Sequence, residues 1–189
     1  MLVATKDADG LRDLVDDLRK PVKSVHSDCI KVLYEVGYLA PDLIAPFWEI
    51  FLDLLSSKNN RLVWGSMIAL DAISAVKADE LFASHEAIMK AMKTGSVITQ
   101  DAGIRILSQV AGAREDYRAT ILPFLLGFLQ TCRPKELPRH AESVLPAVDS
   151  QHADPYLDLL SRRVSDLTDR QAARLQKVMN NAGKRSTEG

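Results

Sequence analysis

The sequence predicts an all-α protein, an α-solenoid of about five helical hairpins, and three observations support this prediction. Two apolar stripes with helical spacing alternate along the chain. The Leu at the centre of one stripe returns at steps of 37, 37 and 38 residues. Nine Gly and eight Pro in 189 residues are few, which argues against a loop-rich all-β fold.

The repeating stripe, here the B stripe, has a small residue, then Leu four residues on, then Val or Ile three further on. This spacing is one face of an α-helix, and the small residue lets a neighbouring helix approach closely. The complete copies are Cys29/Leu33/Val36, Ser66/Leu70/Ile73, Gly103/Leu107/Val110 and Ala141/Leu145/Val148. Leu175 and Val178 form a partial fifth copy.

A second stripe, the A stripe, lies between these copies, with apolar residues at steps of three and then four. Its copies are Leu11/Leu14/Leu18, Ile44/Phe47/Phe51, Leu81/Ser84/Ile88, Ile121/Phe124/Phe128 and Leu157/Leu160/Val164. Alternating stripes predict paired A and B helices. Pro46 and Pro123 lie inside two A helices, where each ring removes a hydrogen bond and is expected to kink its helix.

Capping residues and the chain ends agree with a stack of hairpins. Asn59 and Asn60 precede the second B helix, and Thr168 to Gln171 have the pattern of a capping box. Dense charge over residues 6–20 and a polar last helix are typical of capping repeats. We predict one domain over 1–189, with repeats at roughly 8–39, 40–76, 77–112, 113–149 and 150–182 and a tail at 183–189.

These residues resemble HEAT repeats, within the wider armadillo-like class of superhelices. The resemblance covers roughly residues 11–180 and rests on the period, the Pro in helix A and the small-xxx-Leu-xx-Val stripe in helix B. Pro is missing from the A helices at Leu11 and Leu81. The family implies protein or nucleic-acid binding through a curved surface and implies no reaction.

Composition narrows the function classes. A net charge of −1, from 24 Lys plus Arg and 25 Asp plus Glu, is unlike a strongly basic nucleic-acid binder. Two distant cysteines and no leader-like apolar run favour a cytoplasmic protein with reduced thiols. The sequence has no phosphate loop, nucleophile elbow or metalloprotease motif, and no set of metal ligands can be assembled. We therefore predict no catalytic residue, no metal and no cofactor.

The candidate binding residues come from aligning the B helices in register, because these helices line the concave side of HEAT-like stacks. One row is Ser27, Trp64, Asp101 and Arg139, and the next is Lys31, Ile68, Arg105 and Ser143, with Arg61, Gln100 and His140 close by. A solvated helix face is the ordinary interpretation of such rows. The functional interpretation is a partner-binding groove with Trp64 as its aromatic anchor.

The segment from Cys132 to Glu142 is the least generic part of the chain. It places Arg133, Lys135, Arg139 and His140 at the start of the fourth B helix, where a helix N-terminus already favours anions. The sequence leaves open whether this segment binds an anion or is a Pro-stiffened turn whose cations pair with nearby carboxylates. A nucleophilic pair of Cys132 with His140 requires the turn to fold back.

Three functions remain as hypotheses. The first is a non-catalytic binding or scaffold module that presents its B-helix surface to a protein or peptide partner. The second is a nucleic-acid enzyme resembling helical-repeat glycosylases of alkylated bases, for which Trp64, Asp101 and Arg105 are of suitable chemical types and the net charge is unfavourable. The third is a scaffold or tetrapyrrole-handling protein similar to bilin lyases.

Overall fold

Every regular element that the structure describes is a helix. The computed structural model describes the backbone of residues 7–20 and 23–187, and the side chains of 7–20 and 24–184. Within these ranges there is no β-strand, so the predicted all-α class is confirmed. Within the same ranges, no helix combines the length and the apolar character that a membrane span requires. Residues 1–6, which include Lys6 of the charged segment, lie outside the described residues. Residues 188–189 of the predicted tail do so as well.

The chain divides into two compact units, Met1–Ile106 and Leu107–Gly189, and the division falls within α8. The helices of the first unit are α1 (Ala8–Arg19), α2 (Lys23–Leu39), α3 (Pro41–Ile44), α4 (Trp48–Leu54), α5 (Asn60–Ile73), α6 (Ala78–Ala83), α7 (His85–Thr94) and the first part of α8 (Val97–Ala113). A 3₁₀ turn, Ala45–Phe47, joins α3 to α4.

The first unit is organised around α2, which packs against α1 and α5. Ile30 and Leu33 of α2, and Leu70 and Ile73 of α5, are fully buried. A Cβ atom added at Gly65 of α5 would lie 2.8 Å from Cγ1 of Ile30. The two helices therefore approach more closely at this point than a larger side chain would allow, at a glycine that lies next to Ser66 of the B stripe and is not part of the stripe.

The second unit contains the end of α8 and four further helices. These are α9 (Glu115–Thr131), α10 (Leu137–Val144), α11 (Ala153–Arg162) and α12 (Asp169–Thr187), with 3₁₀ turns at Pro134–Glu136, Leu145–Ala147 and Val164–Asp166. Helix α12 packs on α10 and α11. Helices α10 and α11 are joined by a hydrogen bond, which the hydroxyl of the fully buried Tyr156 on α11 donates to the carbonyl oxygen of Ala141 on α10, at 2.7 Å.

The B stripe is buried along most of its length, whereas the A stripe is buried only in part. The small residues Cys29, Ser66 and Ala141 are all buried. In contrast, Val164 is 38% exposed, because α11 ends at Arg162 and a 3₁₀ turn carries Val164 away from the core. The rings of Phe124 and Phe128 are half-buried, and the core side of α9 is formed instead by Ile121, Leu122, Leu125 and Leu129.

The two A-helix prolines have different surroundings. Pro46 lies in the 3₁₀ turn that separates α3 from α4, so the α-helical pattern is interrupted there. Pro123 lies inside α9, which continues through it from Glu115 to Thr131. Each proline lies two residues after the first apolar residue of its A-stripe copy, but the two positions have different local structures.

Predicted caps are present at two helix starts. The side-chain oxygen of Asn59 accepts a hydrogen bond from the backbone N–H of Arg61, at 3.0 Å. At the start of α12, the backbone N–H of Thr168 donates to Oε1 of Gln171, at 3.0 Å, which is half of the predicted capping box. These bonds satisfy backbone groups that would otherwise have no partner at the helix ends.

The predicted tail differs from the structure, because α12 remains helical as far as Thr187. Among the side chains described up to residue 184, Val178 and Ala182 are the last of this helix to be buried. Extending an existing helix fixes one residue for each new hydrogen bond and is therefore inexpensive compared with starting a new one. The backbone after Ala182 thus continues the helix to Thr187.

Leu70→Ala and Leu107→Ala should each destabilise the protein by about 2–5 kcal/mol, because truncating a fully buried Leu removes buried apolar area and leaves a cavity. Lys135→Ala should change stability by less than about 0.5 kcal/mol, since its side chain is 64% exposed. Urea denaturation of the three variants measures these effects. A larger loss from Lys135→Ala than from either Leu variant would contradict the assignment of helix faces.

Candidate binding surface

Three aromatic side chains form a continuous cluster on the first unit. The ring of Tyr34 on α2 lies 6.1 Å from that of Trp64 on α5, measured between centroids, and 6.3 Å from that of Tyr38 in an edge-on arrangement. Tyr34 is 9% exposed, Trp64 is half-buried and Tyr38 is 56% exposed. This aromatic cluster therefore has a buried centre and an exposed end.

Charged side chains border the aromatic cluster. The guanidinium carbon of Arg61 lies 5.9 Å from the centroid of the Trp64 ring, within cation–π range. Lys31 is exposed on α2, three residues before Tyr34. Arg105 of α8 donates from Nε to a carboxylate oxygen of Asp71 on α5, at 2.7 Å. The aromatic cluster and these four charged residues make up what we call the candidate surface.

Burial and charge shift the pKa values of two groups on the candidate surface. Burial raises the pKa of Asp71, and the opposing influence of the Arg105 guanidinium offsets this only in part. Burial also raises the pKa of the Tyr38 hydroxyl, and the negative charge of Asp71 acts in the same direction. Asp71 and Arg105 therefore lie close enough to Tyr38 to influence its ionisation.

Five of the predicted site residues belong to this region, and a sixth has another role. Lys31, Arg61, Trp64 and Arg105 lie on the candidate surface, and Asp101 is half-buried one helical turn before Arg105. The sixth is Gln100, which is half-buried and donates from its amide nitrogen to the carbonyl oxygen of Met92, at 3.4 Å. Gln100 therefore joins α8 to α7.

The other predicted residues lie on the second unit, where Glu136 neutralises much of the basic segment. Arg139 Nη2 lies 2.6 Å from a Glu136 carboxylate oxygen, and Lys135 Nζ lies 3.7 Å from the other oxygen. Arg133 is exposed. The segment thus contains a paired turn of the kind that the sequence left open, with Glu136 as a carboxylate partner of both Lys135 and Arg139.

His140 is not available to a partner at the surface, which corrects its predicted place among the binding residues. Its side chain is buried, with only 2% of the residue exposed, and its ring lies 5.4 Å from that of Phe128. The reason is its position on α10, where it shares the inward face with Leu137 and Val144.

Cys132 has the environment of a structural thiol. Burial raises its pKa, which lowers the fraction of reactive thiolate, although the charge of Arg163 acts in the opposite direction. Its Sγ donates to the carbonyl oxygen of Leu129, at 3.5 Å. These observations disfavour the nucleophilic pair of Cys132 with His140.

Sequence reasoning missed Arg163, which caps the C-terminus of α9. Its Nη1 donates to the carbonyl oxygens of Leu129, Gln130 and Cys132, at 2.8, 3.1 and 2.9 Å. These carbonyl groups have no partner within the helix, and a cation is favourable at this end of the helix dipole. Arg163 lies more than thirty positions after these carbonyl groups in the sequence, so no local pattern predicts its role.

Tyr34, Tyr38 and Asp71 were also missed, although a usable signal exists for the two tyrosines. They follow Lys31 by three and seven residues and so share its helix face. The pairing of Asp71 with Arg105 has no such signal. Among the described residues, no group of three or more His, Cys, Asp or Glu side chains is placed to hold a metal ion.

Comparisons with known proteins support the fold alone. No family model matches the chain. No curated protein matches it either. Among solved structures, the chain is similar to the crystal structure of an engineered protein, a target of the Northeast Structural Genomics Consortium. That match has a TM-score of 0.72 at 17% identity and covers 96% of this chain and 82% of the other.

Asp71→Asn should remove a pH-dependent loss of stability. Because the pKa of Asp71 is raised in the folded state, the folded protein binds more protons than the unfolded chain between pH about 4 and that raised pKa. The free energy of unfolding of the wild type, measured relative to that of Asp71→Asn, should therefore fall as the pH rises through this interval. Urea denaturation at a series of pH values measures the difference.

Arg105→Gln provides the matched test, because loss of the neighbouring cation should raise the pKa of Asp71 further. The pH interval over which stability falls should then be wider than in the wild type. A wild-type stability that rises with pH relative to Asp71→Asn would contradict a raised pKa.

Proposed function

We propose that the protein is a non-catalytic binding module that presents the candidate surface to a protein or peptide partner. The observation that carries this proposal is the aromatic cluster, whose exposed end, Tyr38, is supported from below by the nearly buried Tyr34. Aromatic side chains supply large contact areas with few rotatable bonds and are enriched at the energetic centres of interfaces.

The immediate surroundings of the aromatic cluster favour an apolar anchor from the partner. Leu39, adjacent to Tyr38 at the end of α2, is 75% exposed, so two large side chains face solvent in succession. The half-buried Trp64 is held between Tyr34 and the guanidinium of Arg61. A partner side chain that covers Tyr38 and Leu39 would bury apolar area without having to order a flexible pocket.

The charge of the candidate surface favours a protein or peptide over nucleic acid. Lys31, Arg61 and Arg105 contribute three positive charges, but the carboxylate of Asp71 engages Arg105 at 2.7 Å and Asp101 lies one turn away. A surface that neutralises phosphates needs clustered cations that are not already paired with protein carboxylates. The nucleic-acid enzyme suggested by the sequence is therefore the weaker alternative.

We also propose that the helices form a HEAT-like solenoid and that the protein works in the cytoplasm. The support for the solenoid is the 37-residue step of the B stripe together with the close packing of α2 against α5. The support for the compartment is that both cysteines are free thiols. The support for a non-catalytic role is the structural environment of Cys132, together with the absence of catalytic motifs from the sequence.

Tyr38→Ala should weaken peptide binding by about tenfold, because it removes the exposed ring at the centre of the proposed contact. Peptides would first be selected from a random display library on the wild-type protein. Their affinities for wild type and variant would then be compared by fluorescence anisotropy. Tyr38 is suited to this test because a side chain that is 56% exposed can be truncated without damage to the core.

Phe124→Ala is the matched control, since this half-buried ring lies on α9 of the second unit and outside the candidate surface. Selected peptides should bind this variant as tightly as the wild type. Peptides that bind Tyr38→Ala with undiminished affinity, or a selection that enriches no peptide, would contradict the proposed surface.

Oligonucleotides of single- and double-stranded DNA should show no saturable binding even at low salt, because the net charge is −1 and Arg105 is paired. An anisotropy titration at several salt concentrations measures this. Binding that weakens linearly with the logarithm of salt concentration, and that is reduced by Arg61→Gln, would instead support the nucleic-acid alternative.

A further inference from the structure

A cavity of about 530 Å³, open to solvent, lies within the first unit, where the end of α1 and the start of α2 meet the turn between α4 and α5. This volume falls within the range of small-molecule sites, which is about 300–1,000 Å³. None of the aromatic side chains of the candidate surface lines it. The cavity is therefore a separate feature of the unit and does not depend on the proposed function.

Three leucines give the cavity an apolar wall. Leu18 of α1 and Leu62 of α5 are almost fully buried, and Leu54 at the end of α4 is half-buried. They belong to three different helices, so the wall is held by the packing of the unit and not by one flexible segment. Because Leu18 and Leu62 are already almost fully buried, an aliphatic chain placed here would gain free energy mainly by burying the accessible surface of Leu54.

The polar side of the cavity is cationic. Arg19, Lys20 and Lys58 line it, and none of the described lining residues is acidic. Arg19 and Lys20 also pair with Asp16 and Asp17 on the outer turn of α1. Lys58 has no ion-pair or hydrogen-bond partner among the described side chains, so its charge is the one most open to a ligand.

His26 also lines the cavity. It is only 8% exposed, and its Nε2 lies 2.8 Å from the carbonyl oxygen of Lys20. Because a carbonyl oxygen can only accept, this geometry places a proton on Nε2 and ties the start of α2 to the end of α1. The same bond fixes the backbone of Lys20 at the cavity wall.

We propose that this cavity binds a small amphiphilic anion, a carboxylate or phosphate group attached to a short aliphatic chain. Leu54 receives the chain above the buried Leu18 and Leu62, and Lys58, assisted by Arg19 and Lys20, receives the charged group. The two halves of such a ligand match the two halves of the cavity in both polarity and charge. A purely polar anion would leave the leucine wall uncovered, and an aliphatic cation would be repelled by the rim.

Isothermal titration calorimetry with octanoate tests the proposal, and three related probes identify what is recognised. Octanoate should bind with a 1:1 stoichiometry. Octylammonium, 1-octanol and inorganic phosphate should each bind more weakly, because each lacks the negative charge or the aliphatic chain. Octyl phosphate should bind as octanoate does if a phosphate headgroup is also accepted.

Two substitutions assign the binding to the cavity. Lys58→Gln should weaken octanoate binding by about three- to tenfold, through the loss of one charge-assisted contact. Leu54→Asp should abolish it, because a second anion would stand where the chain lies. The matched controls are Lys90→Gln on α7 and Leu52→Asp on α4, which alter an exposed Lys and a half-buried Leu outside the cavity. Thermal melts establish that each variant is folded.

Binding of octylammonium as tight as that of octanoate, or no octanoate binding at millimolar concentration, would overturn the proposal. So would unchanged octanoate affinity in Lys58→Gln, which alters an exposed residue and leaves the fold intact. Loss of binding in both control variants as well as in the cavity variants would also refute it, because the ligand would then report general stability. Tyr38→Ala should leave octanoate binding unchanged, which separates this test from that of the peptide-binding surface.

Discussion

The close packing of α2 against α5 is the constraint on which the features of the first unit depend. Gly65 leaves no room for a side chain beside Ile30, and Leu33, Leu70 and Ile73 are fully buried. Once these residues face inward, helical geometry leaves Lys31, Tyr38 and Arg61 facing outward. The aromatic cluster is therefore a consequence of the same packing that forms the core, and it requires no separate element to position it.

Helical periodicity correctly predicted the all-α class, because the spacing of apolar residues shows which face of each helix is buried. It predicted element ends less well, since these depend on interactions distant in sequence or on single residues. Val164 was expected to be buried, but α11 ends at Arg162 and turns it outward. The preceding residue, Arg163, is drawn to the carbonyl oxygens at the end of α9, a contact that spans more than thirty positions. Nothing near Val164 in the sequence encodes that contact.

On the candidate surface too, the features that follow from local helical spacing were predicted, whereas contacts between residues distant in sequence were not. Because the repeat spacing is regular, alignment of the B helices predicted that Trp64 and Arg105 belong to neighbouring rows of one region. It could not show that Arg105 is paired with Asp71, 34 residues earlier, or that His140 faces the core beside Phe128. Residue type alone made both side chains plausible contacts for a partner, whereas pairing and burial decide whether a charge is available.

Available charge also separates the two proposed binding features of the first unit. On the candidate surface, the carboxylate of Asp71 is paired with Arg105, so the proposed recognition depends mainly on apolar contact at Tyr38 and Leu39. In the cavity, no described lining residue is acidic and Lys58 has no partner among the described side chains, so charge has the larger share there. Arg61 and Leu62 are consecutive in α5 but serve different features, because successive side chains on a helix point about 100° apart. One helix can thus contribute both to the proposed peptide-binding surface and to the proposed anion-binding cavity.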